Sequence, residues 1–179
     1  MPTVLRPWSD DDDDADALRA ASREPDLHTQ LPTFADDDVA AYLTSLAPAA
    51  DRLPLVIEHE GALVGAVAVT HIEDRHRSGW VSYWLLPQAR GLGLARRALA
   101  TVATWAFEVR GVERLELGHR TANPASCAVA TAAGFVVEGL ERGKLRYGDE
   151  RYDVETHGRL RTDPAPDLEP LPLALPRPT

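Results

Sequence analysis

The sequence predicts an α+β chain, or the three-layer form of α/β: a mixed sheet of seven strands flanked by four helices. Three observations predict it. Segments with the helical apolar period and segments with strand character follow one another as strand, two helices, three strands, helix, strand, helix, two strands. Gly and Pro punctuate the boundaries between them, at Pro48, Pro54, Gly61, Pro87, Gly111 and Gly134. The length of 179 residues and the 44% hydrophobic content suit one globular domain. A domain of this size buries about 70% of its extended-chain surface, so its core needs no metal or disulfide staple.

Each element has its own local signal. Residues 4–8 read as a short strand. A helix over 12–23 follows, with aspartates in its first turn, where the helix dipole favours negative charge. Residues 27–33 read as a loop, and a second helix over 36–46 carries Val39, Tyr42, Leu43 and Leu46 at helical spacing. Segments 55–58 and 63–72 make a hairpin through Glu60-Gly61, and 80–86 is a strand stopped by Pro87. The clearest helix is 92–109, where Ala95, Leu99, Val102, Ala106 and Val109 form one apolar stripe and Gly111 marks the end. A strand over 113–119 comes next. Asn123-Pro124 then opens a helix with a capping residue and a proline at its first position; Gly134 ends it. Residues 135–140 and 152–160 are the last two strands. The domain thus covers 1–162, and 163–179, with six prolines, is expected to be an extended or disordered tail.

Charge and composition exclude several functions. Residues 1–60 hold 14 acidic and 4 basic side chains, and 61–179 hold 14 and 15, which gives the net charge of −9. No basic face is evident to displace phosphate counterions, so no nucleic-acid partner is expected. The acidic runs at Asp10 to Asp14 and Asp36 to Asp38 fit a solvated helix start, and they also suit a cationic substrate. No apolar run is long enough to span a bilayer, and the N-terminus lacks the basic-then-apolar pattern of a secretory signal, so a cytoplasmic protein away from membranes is expected. Cys127 is the single cysteine, which excludes an internal disulfide and a cysteine-rich zinc site. The histidines at 28, 59, 71, 76, 119 and 157 show no ligand pairing such as His-Glu-x-x-His, so no metal is expected.

Chemistry enters at Gln88-Ala89-Arg90-Gly91-Leu92-Gly93-Leu94-Ala95, between a strand and the strongest helix. Two glycines let the backbone turn tightly and approach a ligand closely. The amides of the first helical turn have no intrahelical partner and, with the helix dipole, favour an anion. The turn therefore fits a pyrophosphate, and Arg90 is placed to add charge. It is not a P-loop, since Leu94-Ala95 replaces Lys-Ser/Thr, nor a dinucleotide fingerprint, since Arg96 stands where the third glycine belongs. A glycine-rich turn without a ligand is the competing reading.

With these residues in place, the sequence resembles the GNAT superfamily of acyl-CoA-dependent N-acetyltransferases, whose Gln/Arg-x-x-Gly-x-Gly/Ala motif is matched by Gln88, Gly91 and Gly93. It is similar in particular to the RimJ/RimL-type branch, through Tyr83-Trp84-Leu85-Leu86-Pro87, Ala106-Phe107 with Gly111-Val112-Glu113-Arg114-Leu115, Asn123-x-x-Ser126, Gly134-Phe135-x-x-Glu138-Gly139 and Asp153. The similarity runs over about 5–160 and is dense from 80 onward. It implies a mostly antiparallel sheet splayed open like a V with acetyl-CoA in the splay. The pyrophosphate would lie on Gln88, Arg90, Gly91, Leu92, Gly93, Leu94 and Ala95. Leu85 and Leu86 would offer backbone groups to the pantetheine and the thioester carbonyl, and Asn123 and Ser126 would sit along the arm near the sulfur.

The implied reaction is attack of a neutral amine, on a small molecule or a protein N-terminus, on the thioester. A strand N–H such as that of Leu86 would stabilise the carbonyl oxygen. Many members of the superfamily protonate the leaving thiolate with a tyrosine seven residues after the asparagine; here that position is Ala130. Ser126 is the expected substitute, and it also fits a purely structural role at the helix start. Glu73, Asp74, His71, Glu116 and His119 are near the expected cleft, with none singled out as base. Cys127 is expected to be a small buried core residue, and Trp84 the tryptophan nearest the ligand. Acceptor choice is expected to rest on loops at 27–33, 74–79 and 144–150, and homodimers are common in the branch. An acyl-CoA-binding sensor without turnover is the alternative that Ala130 favours.

Overall fold

The strands of the computed structural model, which describes residues 2–28, 30–32, 34 and 38–175, lie in one sheet. Seven strands and four helices follow the predicted order: β1 (Thr3–Pro7), α1 (Asp12–Ser22), α2 (Asp38–Ser45), β2 (Leu53–His59), β3 (Ala62–Glu73), β4 (Ser78–Leu85), α3 (Leu94–Glu108), β5 (Arg114–Arg120), α4 (Pro124–Ala132), β6 (Val136–Tyr147) and β7 (Glu150–Leu160). The sheet order is β1-β2-β3-β4-β5-β7-β6, antiparallel throughout except for β4 beside β5. That parallel pair is joined by the α3 crossover, as parallel neighbours require. Thr33, Asp36 and Asp37, read as loop and helix start, lie outside the described residues.

Local chemistry sets the boundaries. Asp11 caps α1 by accepting from the Asp14 N–H at 3.0 Å. Asp14, almost fully buried, takes two bonds from the Arg6 guanidinium (2.7 and 2.8 Å) and one from the Ser9 N–H (2.8 Å). The first aspartate run is thus a helix start anchored to β1. Glu60 and Gly61 both adopt positive φ (57° and 81°), the turn type that matches the twist of a two-residue hairpin. Gly134 (φ 86°) closes α4, with the Phe135 N–H bonded to Ala130 O at 3.0 Å.

Apolar residues form two clusters on opposite faces. One gathers α3 and Ala130 and Ala133 around Leu55, Val67, Val81, Leu115 and Phe135; the other gathers α1 and α2 around Leu18, Leu31, Val39 and Leu86. No described helix is long and apolar enough to cross a membrane.

Two expectations are corrected. The final hairpin is much longer than predicted: β6 runs to Tyr147, so most of the expected loop at 144–150 is strand. Charged residues on this sheet-edge strand hide its period, and a bulge at Gly143 (φ 59°), held by the Asp153 carboxylate on the Gly143 N–H at 2.7 Å, interrupts it. The tail is not disordered over 163–175. It is extended, and it packs: Leu171 is 3% exposed, its N–H donates to Thr101 Oγ1 (2.9 Å), and Leu5 bonds both Pro172 O (2.9 Å) and the Ala174 N–H (2.8 Å). Leucines alternate with prolines there, so the apolar side chains and the remaining N–H groups both find partners along the outer edge of β1.

Candidate functional site

The sheet comes apart at its centre. β4 and β5 pair only at Ser78↔Arg114, Gly79↔Leu115 and Trp80↔Glu116. Beyond that point the rest of β4 stays paired with β3, up to Gly65↔Leu85, and the rest of β5 with β7, up to Arg120↔Val154. A wedge opens between residues 81–85 and 117–120. The polarity of its β4 wall follows from the ladder. The Leu86 N–H donates to Val64 O at 2.9 Å. Antiparallel strands alternate, so the N–H groups of Leu85 and Tyr83 turn to the opposite edge, toward the wedge. The expected Leu86 donor is therefore committed to β3, and Leu85 is the residue whose N–H faces the wedge.

The glycine turn sits at the wide end of this wall. Pro87–Ala89 forms a short 3₁₀ turn, and Gly91 and Gly93 take left-handed φ values of 79° and 74°. These conformations delay the helix start to Leu94, two residues later than predicted. Gly93 caps α3 with no side-chain hydrogen bond. The first intrahelical bond is Arg97 N–H to Gly93 O (3.3 Å), which leaves the amides of Leu94, Ala95 and Arg96 outside the helical ladder. A Cβ placed on Gly91 would meet nothing within 4 Å, so the turn borders open space. Gln88 and Leu92 are exposed, whereas the side chains of Leu94 and Ala95 are buried, so only their main chain can reach a ligand.

Arg90, expected to add charge to the turn, is engaged with neighbouring groups. Its Nε and Nη2 donate to Leu85 O (3.2 and 2.9 Å) and its Nη1 pairs with Asp26, which ties the turn to the end of β4. The Arg96 guanidinium folds back over the turn, so that Nε lies 3.1 Å from where a Gly93 Cβ would be. In the sequence Arg96 was weighed as the large residue that stands where a third glycine would belong. The signal was its position three residues after Gly93, one helical turn from the cap.

On the far side of the wedge, Asn123 caps α4 through Oδ1 on the Ser126 N–H at 3.1 Å. Ser126 reaches across to β4. The Tyr83 hydroxyl donates to Ser126 O (3.0 Å) and lies 2.7 Å from Ser126 Oγ. Burial pushes the Tyr83 phenol up to about 12, so it stays protonated at neutral pH. In the sequence Tyr83 counted only as part of a motif, with no signal of its contact with Ser126. Ala130 is fully buried in the core, and Tyr83 brings a phenol to Ser126 from a strand instead.

The remaining candidates are spoken for or elsewhere. Glu73 accepts from the His76 N–H, Asp74 pairs with Arg110 (3.2 Å), and Glu116 pairs with Arg114 (2.7 Å). His71 lies at a bulge of β3 with φ 51°, and is exposed. His119 is buried against His157. Cys127, expected in the core, is half-exposed, and the neighbouring Glu155 carboxylate holds its thiol above the ordinary range. Trp84 joins the α1–α2 cluster. There a cavity of about 200 Å³ is lined by Trp8, Tyr42, Arg52, Ser82, Tyr83 and Trp84, among others, against β4.

A family profile described as an acetyltransferase (GNAT) domain matches residues 3–136. The ribosomal-protein-serine acetyltransferase of Escherichia coli (strain K12) is 27% identical over 105 residues, 59% of this chain and 59% of that protein. The chain spans under three fifths of the length of the curated relatives it matches. Among solved structures, a spermidine N-acetyltransferase chimera from Vibrio cholerae and hSSAT superposes with a TM-score of 0.80 at 20% identity, covering 90% of this chain and 97% of that one. Mycobacterium smegmatis RimJ in complex with CoA-disulfide gives 0.72 at 26%, covering 87% and 80%.

Proposed function

The chain belongs to the GNAT acetyltransferase family, and from that premise we propose that it moves the acetyl group of acetyl-CoA directly onto a primary amine. One observation carries this reading. The sheet is unpaired between β4 and β5 beyond Trp80 and Glu116, beside a helix N-terminus that no side chain caps. An edge of free amides next to an anion-favouring helix start matches a long polar arm that ends in a diphosphate.

The main-chain amides of Gly91, Leu92, Gly93, Leu94 and Ala95 hold the diphosphate, with Arg96 as the neighbouring cation. Gln88 lies at the rim, and Arg90 holds the turn to Leu85. The Leu85 N–H polarises the thioester carbonyl as negative charge develops on its oxygen. The Asn123 amide, whose oxygen is used by the cap, offers its NH₂ to the arm. Ser126 Oγ gives its proton to the departing sulfur and regains one from the attacking amine, which sheds it on becoming the amide, while Tyr83 keeps its own proton and holds Ser126 in place through the bond to Ser126 O and the 2.7 Å contact with Oγ. Positioning of amine and thioester supplies much of the acceleration, since the thioester is already activated. The cavity behind β4, with Trp8, Tyr42 and Trp84 in its lining, offers room for the apolar part of an acceptor. The named acceptors of the relatives, spermidine and a ribosomal protein, frame the amines to try.

Thiol release from acetyl-CoA over a panel of polyamines and serine-initiated peptides tests the reading. Release with at least one amine is expected, and Ser126→Ala should lower kcat about 10-fold to 100-fold, the low end of acid–base contributions, with little change in acetyl-CoA affinity. Tight acetyl-CoA binding with no release from any amine would favour the sensor, for which the buried Ala130 speaks. No acetyl-CoA binding would overturn both.

A further inference from the structure

Beneath α4, four side chains with ligating atoms converge from three elements: His119 of β5, Cys127 of α4, and Glu155 and His157 of β7. Their ligand atoms all lie within 4.8 Å of one another. Strand register brings them together. His119 stands directly opposite Glu155, and His157 lies two residues further along β7, so all three project from one face of the sheet. The first turn of α4 sets Cys127 over that face. In sequence they are separated by 8, 28 and 2 positions, a spacing that no linear motif reports. The expectation of no metal rested on linear motifs alone.

The distances have the form of a coordination shell. His119 Nε2 lies 2.9 Å from His157 Nε2, and Glu155 Oε1 lies 3.3 Å from the former and 3.1 Å from the latter. A tetrahedral ion with bonds of about 2.0–2.1 Å has ligand–ligand edges of about 3.3 Å. Hydrogen bonds alone satisfy this triangle poorly. His119 Nδ1 lies 3.0 Å from Arg120 O, where it donates its proton, which leaves Nε2 as the atom that faces His157 and Glu155. Glu155 offers only acceptors. The single Nε2 proton of a neutral His157 cannot serve three mutual contacts, so the triangle calls for one further positive charge among these atoms, a proton or a metal ion. The His119–Arg120 contact is also the outer-shell bond that fixes a ligating imidazole. His157 Nδ1 has no such partner among the described residues. His119 and His157 are buried while Cys127 and Glu155 are half-exposed, which gives an ion a way in from the α4 side.

We propose that His119, Cys127, Glu155 and His157 form a tetrahedral site for one divalent cation of the zinc class, which pins the start of α4 to β5 and β7. A thiolate, two imidazoles and a carboxylate select zinc or cobalt over magnesium and calcium, which prefer shells made of oxygen alone. Four protein ligands leave no open position, so the ion is structural and takes no part in acyl transfer.

The test uses the full chain, stripped with a chelator and titrated with Zn²⁺, and separately with Co²⁺ as a spectroscopic probe. One equivalent per chain is expected, with intense visible bands of tetrahedral Co²⁺, a near-ultraviolet thiolate-to-cobalt band, and a Zn²⁺-dependent rise in thermal midpoint that Mg²⁺ does not reproduce. Cys127→Ser, a one-atom change at a half-exposed position, should abolish the thiolate band and weaken Zn²⁺ binding at least about 10-fold, the loss that even an outer partner's removal brings. His119→Asn should abolish stoichiometric binding. If Co²⁺ gives only a weak octahedral spectrum, if Zn²⁺ binds without stoichiometry, or if Cys127→Ser binds like the parent, the cluster holds a shared proton instead and the proposal fails. Metal binding is read without acetyl-CoA, so failure of either reading leaves the other standing.

Discussion

The two edges of β4 behave in opposite ways. Its β3 edge is paired continuously from Thr70↔Trp80 to Gly65↔Leu85, and the Leu86 N–H extends the ladder to Val64. Its β5 edge is paired over three residues and then released. One strand thus spends half of its peptide groups on the fold and turns the other half toward a wedge. Glycine marks both sides for different reasons. Gly65 lets backbones close: a Cβ there would lie 2.3 Å from Trp84 O and 2.6 Å from Leu85 Cδ2. Gly91 leaves a turn open, with a left-handed φ and nothing within 4 Å of the missing Cβ. The contrast teaches that the same residue type serves stability where backbone presses on backbone, and ligand approach where it faces free space.

The largest effect should come from closing the wrong edge. Gly65→Val forces a side chain into the Trp84 carbonyl, and denaturant unfolding should show a loss of about 3 kcal/mol, the upper end of overpacking costs. A loss below about 1 kcal/mol would mean that the ladder yields and that the two edges are less different than they look. Next comes Leu171→Ala. It empties a buried site where the tail meets α3, and should cost about 2 kcal/mol while leaving acetyl-CoA affinity unchanged, since the β1 edge is remote from the wedge. Gly91→Val reverses that pattern. The left-handed backbone costs an L-residue about 1–2 kcal/mol, the fold survives because no atom obstructs the side chain, and the acetyl-CoA Kd should rise at least about 10-fold, or 1.4 kcal/mol. Unchanged affinity on a calorimetric titration would remove the turn from the cofactor site.

The fold was legible where period and punctuation agreed. The stripe of Ala95, Leu99, Val102 and Ala106 on α3, the Asn-Pro start of α4 and the Glu60-Gly61 turn each carry their structure within a few residues, whereas Val109, read as part of that stripe, lies past the helix end and is exposed. The long β6 was not, because an edge strand is kept soluble by charges that erase its alternation. Nor was the packing of the tail: six prolines suggest disorder by composition, whereas burial depends on Leu171 meeting Thr101 seventy positions away. The site divides in the same way. The glycine turn before α3 and the Asn123–Ser126 start of α4 are local motifs that the chain carries within a few residues. Which N–H of β4 faces the wedge depends on register, so Leu85 and Leu86 were both named and the carbonyl was given to Leu86, whose N–H is bonded to Val64 O. The partnership of Tyr83 with Ser126, and the gathering of His119 with Glu155, are products of topology that a linear reading cannot weigh.

The smallest effect sharpens the role of Tyr83. Its phenol is raised from 10.0 to about 12, mainly because burial disfavours the phenolate, with the Ser126 hydrogen bond opposing. The folded state therefore holds this proton more tightly than the unfolded chain does. The stabilisation is complete below pH 10 and declines as pH rises through about 12. Subtracting the pH–stability curve of Tyr83→Phe from that of the parent should give a difference that is flat from neutral pH to 10 and falls beyond it. On the activity side, Tyr83→Phe should lower kcat without moving an alkaline limb that lies below pH 10, because Tyr83 does not ionise there. A limb that disappears in Tyr83→Phe would show that the phenol titrates within the working range, and so that the wall of the wedge is wetter than the contact with Ser126 implies.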